Sequence, residues 1–148
     1  MASKPYYLQN DGKVSRTPPN YLGTLAKECW RKIVPFLEAT ERVERIDTSL
    51  VEQYCTQYDI YRAAYHDVKE NGIQTPMYKT LQDQIGEIIG KEFAGFWKNP
   101  AVMTMKDASN QLNAIGAQLG LSPKSRQELM TIAAKTDKSA TDELKDFF

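Results

Sequence analysis

The stretch that decides the fold runs from Ser49 to Gly72 and reads SLVEQYCTQYDIYRAAYHDVKENG. Its apolar residues recur every three or four positions, which is the spacing of one face of an α-helix. Ser49 and Glu52 have the spacing of an N-terminal capping box, and Asp47 is a second candidate for the cap. The pattern predicts a long helix whose apolar face is formed by Leu50, Val51, Tyr54, Cys55, Tyr58, Tyr61, Ala64, Tyr65 and Val68.

A first helix is predicted before this stretch, starting near Asn20 or Tyr21. Pro35 falls inside its pattern and is expected to kink the helix or end its regular part, because proline lacks an N–H and crowds the preceding turn. The apolar residues that repeat at helical spacing are Leu22, Leu25, Ala26, Cys29, Trp30, Ile33 and Leu37.

Two more helices are predicted after it. Asn99-Pro100 opens a third helix that Gly120 ends, and Ser122-Pro123 caps and opens a shorter fourth helix. The third helix carries an apolar seam at Val102, Met105, Ala108, Leu112, Ile115 and Leu119, and the fourth carries Leu129, Ile132 and Ala133.

Residues 73–98 are less regular and contain Pro76, Gly86, Gly90 and Gly95. Two aromatic-rich runs, Met77–Leu81 and Phe93–Trp97, can pair as a small β-hairpin within residues 74–98. The stretch between them is either a turn of helix or a long loop. The expected fold class is therefore mainly all-α, with a long antiparallel helical hairpin and flanking N- and C-terminal helices.

The chain of 148 residues fits one compact domain with short tails. Residues 1–20 are predicted to form a flexible basic arm, 21–134 a helical core that also carries oligomerisation, and 135–148 a flexible acidic tail. Net charge is zero and the pI is about 6.6, so any DNA contact must come from a local basic patch or from many copies of a weak one.

No apolar run is long enough to cross a membrane, and the N-terminal residues contain no signal-peptide region. We therefore expect the protein to stay in the cytoplasm in which it is made. Cys29 and Cys55 lie among apolar residues at helical spacing, which favours two buried, reduced thiols over a disulfide.

Residue types that most enzymes need are scarce. The sole histidine, His66, fits a helix surface, and with two separated cysteines it cannot make a zinc site. The run from Gly86 to Lys91 resembles a phosphate-binding loop, but it has one residue too few between its glycines and is followed by Glu92 instead of Ser or Thr. We predict no catalytic residue, no metal and no cofactor.

Four ordered spacings resemble one family. Pro19 to Leu37 reads P-x2-L-x3-A-x3-W-x4-P-x-L, and Asp47 to Tyr58 reads D-x2-L-x3-YC-x2-Y. Lys98-Asn99-Pro100-Ala101 follows, and Leu112, Leu119 to Pro123 and Arg126 complete the series. Over residues 19–130 the chain resembles the terminase small subunits of tailed phages and prophages. It differs by a longer insert between the long helices, QDQIGEIIGKEF, and by a shorter and less basic arm.

The resemblance implies a non-enzymatic protein of a double-stranded DNA phage, acting in the cytoplasm of the host bacterium. Such subunits form homo-oligomeric rings, bind viral DNA at the start of packaging and regulate a terminase large subunit that holds the ATPase and nuclease. The surplus aromatic surface of the helices is then expected at subunit contacts. The candidates for this interface are Tyr58, Tyr61, Tyr65 and Trp97.

Two further sets of residues fit partners that the resemblance implies. A basic excess on the arm and first helix is expected to contact DNA phosphates, repeated around a ring. It comprises Lys4, Lys13, Arg16, Lys27, Arg31 and Lys32. The acidic and aromatic end is expected to dock on the large subunit through Asp142, Glu143, Leu144, Asp146, Phe147 and Phe148.

Two alternatives remain open on the sequence. Leu119 to Pro123 followed by a short helix is similar to the turn of a helix-turn-helix, so a DNA-binding transcription regulator is the main one. A metal-dependent nuclease of the packaging locus is the weaker one, since the chain has no compact carboxylate motif.

Overall fold

The computed structural model describes residues 2–147, without the side chains of Ala140, Thr141, Glu143, Asp146 and Phe147. Within these residues lie four α-helices, one two-stranded antiparallel sheet and two short 3-10 segments, which confirms the mainly α class with a small hairpin. The elements are α1 (Thr24–Thr40), α2 (Thr48–Asn71), β1 (Gln74–Gln82), β2 (Ile88–Lys98), α3 (Pro100–Leu119) and α4 (Pro123–Phe147).

The core lies on both sides of α2, which packs against α1 and against α3. Val51 and Cys55 of α2 are completely buried, and Trp30 of α1 is the largest buried side chain. Burying such side chains is worth roughly 1.5–3 kcal/mol each, so this contact dominates the stability of the body. The buried cluster comprises Val14, Ala26, Cys29, Trp30, Val34, Leu37, Val51, Cys55, Ile115 and Leu119.

The start of α2 differs from the predicted capping box. Ser49 already lies inside the helix, and Asp47 occupies the N-cap position. The Asp47 carboxylate accepts a hydrogen bond from the Glu44 backbone N–H at 3.0 Å, and so closes the 3-10 turn Arg45–Asp47 that leads into α2. The predicted capping box of Ser49 and Glu52 is wrong. The spacing of these two residues does not show where the preceding turn ends and the helix begins.

Helix α1 begins at Thr24, a turn later than its predicted start, because the chain from Pro19 to Leu22 forms a separate turn. Pro35 lies within α1 on its exposed side, and the helix continues to Thr40. The helix ends where Glu41 adopts a left-handed conformation with φ of 56°.

The segment before α1 packs against the core instead of standing free of it. Val14 and Pro18 are buried, and the indole N–H of Trp30 donates a hydrogen bond to the Ser15 carbonyl oxygen at 2.9 Å. The isolated apolar residues of this segment have no periodicity, so the sequence pattern did not place them in the core.

An ion pair fixes the same segment to α1. The Arg16 guanidinium donates two hydrogen bonds to the Glu38 carboxylate, at 2.9 and 3.2 Å, and the Lys13 ammonium lies 3.8 Å from it. The hydrogen bond from Arg16, followed by the charges of Arg16 and Lys13, holds the pKa of Glu38 below its ordinary value. The segment is therefore docked while Glu38 is ionised.

The turn between α3 and α4 forms as the sequence predicted. Gly120 takes a left-handed conformation with φ of 74°, and the Ser122 hydroxyl accepts a hydrogen bond from the Ser125 N–H at 3.1 Å.

Helix α4, however, continues to Phe147, well past the predicted boundary at residue 134. Beyond Met130 every side chain that the structure describes is exposed, so most of α4 extends away from the body.

Asn99 joins three elements at the base of the hairpin. Its Oδ1 accepts a hydrogen bond from the Ala101 N–H at 3.0 Å and so caps α3. Its Nδ2 donates to the Asp67 carboxylate at 2.8 Å and to the Gly72 carbonyl at 3.0 Å, both near the end of α2. Because Asn99 is buried, these contacts set the angle at which β1 and β2 leave the body.

We predict that Asn99→Ala lowers the free energy of unfolding by about 1–3 kcal/mol, since it removes a helix cap and leaves buried polar groups unpaired. Urea denaturation followed by circular dichroism measures the change. Asn99→Asp is the matched control for the cap: it keeps Oδ1 but loses both donated bonds and places a second carboxylate beside Asp67. A loss below about 0.5 kcal/mol for Asn99→Ala would contradict this role.

We further predict that Glu38→Gln exposes the docked segment, seen as severalfold faster tryptic cleavage after Lys13 and Arg16. Because its folded pKa is depressed, Glu38 stabilises docking above its ordinary pKa of 4.5, and that contribution is lost as the pH falls through the folded value. The chemical shift of the Trp30 indole N–H should report this release in the native chain and stay constant with pH in Glu38→Gln. Glu28→Gln, an exposed position on the same helix, should behave like the native chain.

Candidate nucleic-acid and subunit-contact surfaces

The predicted basic residues divide into two groups. Lys13 and Arg16 share the Glu38 carboxylate, so much of their charge is compensated locally. Lys4 is exposed near the start of the chain, and its carbonyl oxygen accepts a hydrogen bond from the Gln9 amide at 2.9 Å. The segment before α1 therefore offers less positive potential than its residue count indicated.

Three cations are spread over the side of α1 that the core leaves open. Lys27 and Arg31 are four residues apart and so share one side of the helix, and Lys32 is adjacent to Arg31. Arg31 and Lys32 are exposed, and Lys27 is partly exposed. None of these three takes part in the ion pairs found among the described side chains. Of the six predicted cations, this α1 group is the one best placed to meet phosphate groups.

The four predicted interface residues lie in different surroundings. Tyr58 packs against the core cluster, and Tyr61 lines a cleft of about 450 Å³ between α2 and α3. Tyr65 on α2 is 47% exposed, and Trp97, opposite Thr75 in the hairpin, is 50% exposed. Tyr65 and Trp97 are thus free for a subunit contact, whereas Tyr58 already contributes to the fold of a single copy.

A second apolar cleft, of about 310 Å³, lies where the C-terminal end of α1 meets the start of α4. The Arg126 guanidinium lies over the Phe36 ring, 5.9 Å from its centre, within the range of a cation–π contact. The cleft was not predicted from the sequence, because its lining residues, Phe36, Thr40, Arg42, Leu119, Gly120, Arg126, Leu129 and Met130, come from three separate segments.

The predicted docking residues lie at the far end of α4. Asp142 and Leu144 are exposed, and Asp142 forms an ion pair of 3.8 Å with Lys145. Phe148 and the side chains of Glu143, Asp146 and Phe147 lie outside the described residues. The described part of this end is thus accessible to a partner.

The two thiols lie in the core, as predicted. Cys29 and Cys55 are free and buried, one on α1 and one on α2. A hydrogen bond with Cys29, together with burial, raises the pKa of Cys55, so this thiol stays protonated at neutral pH. A buried neutral thiol reacts slowly, so Cys55 serves packing.

The described residues contain no helix with the length and apolar character of a membrane span. Among the described side chains no three His, Cys, Asp or Glu residues gather in a way that could hold a metal ion.

The family comparison agrees with the order of helices and turns described above. The family model for the phage terminase small subunit matches residues 26–136, from the first turn of α1 into α4. No curated protein and no solved structure matches the chain significantly. Since the match spans the whole helical body, including the hairpin, the chain belongs to the phage terminase small subunit family.

Proposed function

We propose that this protein assembles into a homo-oligomeric ring that binds viral double-stranded DNA and regulates the terminase large subunit during genome packaging. In this role it has no catalytic site of its own and acts in the cytoplasm of the host bacterium. The observation that carries the proposal is the apolar surface that one copy leaves uncovered within a family of packaging proteins.

That uncovered surface is extensive for a chain of this size. Besides the hairpin, exposed apolar side chains include Tyr65 on α2, Met103 on α3, and Met130 and Ile132 on α4. The hairpin adds three exposed aromatic rings in mutual contact, and contiguous exposed apolar surface usually marks a contact with another protein. Further copies of the same chain are the simplest partners to bury this apolar surface, and in a ring every copy makes the same contacts.

DNA binding is proposed to depend on the α1 cations, repeated in every copy. One copy supplies only a few phosphate contacts, and each such contact is weak and salt-dependent. Repetition around a ring raises the overall affinity by avidity without new contacts. This accounts for DNA binding by a chain with zero net charge.

The exposed end of α4 is proposed to contact the large subunit. Beyond Met130 every described side chain of the helix is exposed, so this part is accessible to a separate partner. The acidic and aromatic sequence from Asp142 onwards supplies both charge and apolar side chains for such a contact. The transcription-regulator alternative loses weight, since the family match is to terminase small subunits.

We predict that Arg31→Glu with Lys32→Glu abolishes binding of duplex DNA at low salt in a gel-shift assay. In the single variant Arg31→Gln, which should keep measurable binding, the plot of log K against log salt should become less steep by roughly 0.9 for each phosphate contact that is lost. Lys69→Glu with Lys106→Glu is the matched control, since it makes the same charge change at exposed positions on α2 and α3. Equal loss in both variants would show that net charge alone drives binding and would refute the α1 surface.

We also predict that deleting residues 141–148 leaves the assembly intact but removes its stimulation of the large subunit's ATPase. Leu144→Ser should lose part of that stimulation, because Leu144 is an exposed apolar residue of the segment. Lys145→Ser, on the same turn, should keep it. Full stimulation by the deletion variant would rule out this end of α4 as the docking element.

A further inference from the structure

We propose that the β1–β2 hairpin pairs edge to edge with the hairpin of the next copy, so that β2 of one copy lies beside β1 of its neighbour in one continuous sheet. The inference rests on the proposed ring and adds the second element that holds it together. It assigns a role to the insert between the long helices.

The hairpin receives almost no cover from its own chain. Every residue of β1 is exposed, and in β2 only Gly90 and Gly95 are partly buried. It joins the body at its base, where the Asn99 N–H donates to the Ile73 carbonyl at 2.9 Å. A two-stranded hairpin alone is marginally stable in water, so strands of nine and eleven residues need a further partner.

One face of the hairpin is aromatic. The Tyr78 and Phe93 rings are directly cross-strand, with centres 6.1 Å apart, and Phe93 and Phe96 follow at 5.2 Å, both in edge-on geometry. Their side chains are 59%, 54% and 58% exposed, respectively. Three aromatic rings in mutual contact and open to water are typical of an uncovered interface.

The hairpin exposes a large apolar area, part of which each contact with a neighbouring copy would cover. Taking about 200 Å² for an aromatic side chain and somewhat less for an aliphatic one, the hairpin leaves on the order of 900 Å² uncovered. A standard interface buries about 800 Å² on each partner. The residues concerned are Met77, Tyr78, Leu81, Ile85, Ile88, Ile89, Phe93, Phe96 and Trp97.

The tip holds the strands in a fixed arrangement before any partner binds. The Asp83 carboxylate accepts hydrogen bonds from the Ile85 and Glu87 N–H groups, both at 2.9 Å, and Gly86 supplies a φ of 89° that the turn requires. A preorganised turn lowers the entropy lost on binding. The hairpin is therefore a rigid arm with two open edges.

The free edge of β1 carries few of the features that usually prevent pairing. Natural sheets protect free edges with prolines, charges or bulges. Pro76 and one irregularity in the pairing lie near the base and a second irregularity lies near the tip, so the regular stretch is Tyr78 to Leu81, where Lys79 is the one charged residue. Backbone N–H and C=O groups along this edge are thus available to a second strand.

Cyclic symmetry selects how the edges meet. In a ring all hairpins point the same way, so β2 of one copy runs antiparallel to β1 of the next and extends the existing antiparallel order. The two edges differ, which makes the contact heterologous, the type that closes rings. A closed set of such hairpins has no free edge left.

The charge of the hairpin favours a second copy over DNA. Residues 74–98 contain three lysines, Lys79, Lys91 and Lys98, and three carboxylates, Asp83, Glu87 and Glu92. A neutral segment offers no net attraction to phosphates, even though aromatic rings can stack on bases.

Hydrogen–deuterium exchange on the assembled full-length protein, isolated by size-exclusion chromatography, tests the pairing. A lone hairpin protects only about half of the amides in each strand, because alternate N–H groups point outward. Edge pairing should protect most amides of both strands without DNA, and dilution to single copies should return the protected fraction to about half.

In the double variant Phe93→Ser with Phe96→Ser, the N–H groups on the outer edges of the strands should lose their protection from exchange. The assembly should also dissociate at a higher protein concentration. Lys79→Ser with Glu92→Ser is the matched control, a cross-strand pair on the opposite face, and it should keep both properties. Equal loss in the control would overturn the proposed role of the aromatic face.

The outcomes separate this inference from the proposed function. An intact assembly with only half of the strand amides protected overturns the pairing and leaves the ring standing. Protection that appears only after DNA is added also overturns it, in favour of a nucleic-acid contact. Failure to find any assembled species contradicts the proposed ring itself.

Discussion

The structure depends on the packing of α2 between α1 and α3. A single helix has only one apolar stripe, and here that stripe serves two neighbours at once: Val51 and Cys55 meet the Trp30 side of the core, and Ala64 is buried further along. The body is consequently thin. Among the described residues much of the remaining aromatic surface is exposed, which is the basis of the proposed assembly.

The same constraint separates the body into functional surfaces. Helix α1 is fixed by the core on one side and by the docked N-terminal segment through Glu38, so its remaining exposed side presents Lys27, Arg31 and Lys32. The hairpin leaves the far end of α2 at an angle set by Asn99, and α4 leaves beyond the turn at Gly120. DNA contact, subunit contact and large-subunit contact are thereby proposed on different parts of the molecule.

The sequence pattern correctly predicted the features that depend on residues close together in the chain. The stripe of α2, the start of α3 at Asn99-Pro100 and the turn at Gly120 and Ser122 all follow from residues close together in sequence. The packing of Val14 was not predictable, because a single apolar residue has no period. The sequence pattern did not predict that α4 continues past residue 134. A hydrophobic period indicates which residues are buried, and a helix without a buried face gives no such signal. The surfaces proposed to meet other copies leave no trace in one chain's periodicity.

We propose that this chain works as a closed assembly of many copies, and native mass spectrometry of the full-length protein tests this most directly. The account predicts one dominant species whose mass is a fixed multiple, well above two, of the 16.8 kDa chain. A monomer or a dimer at micromolar concentration would contradict it.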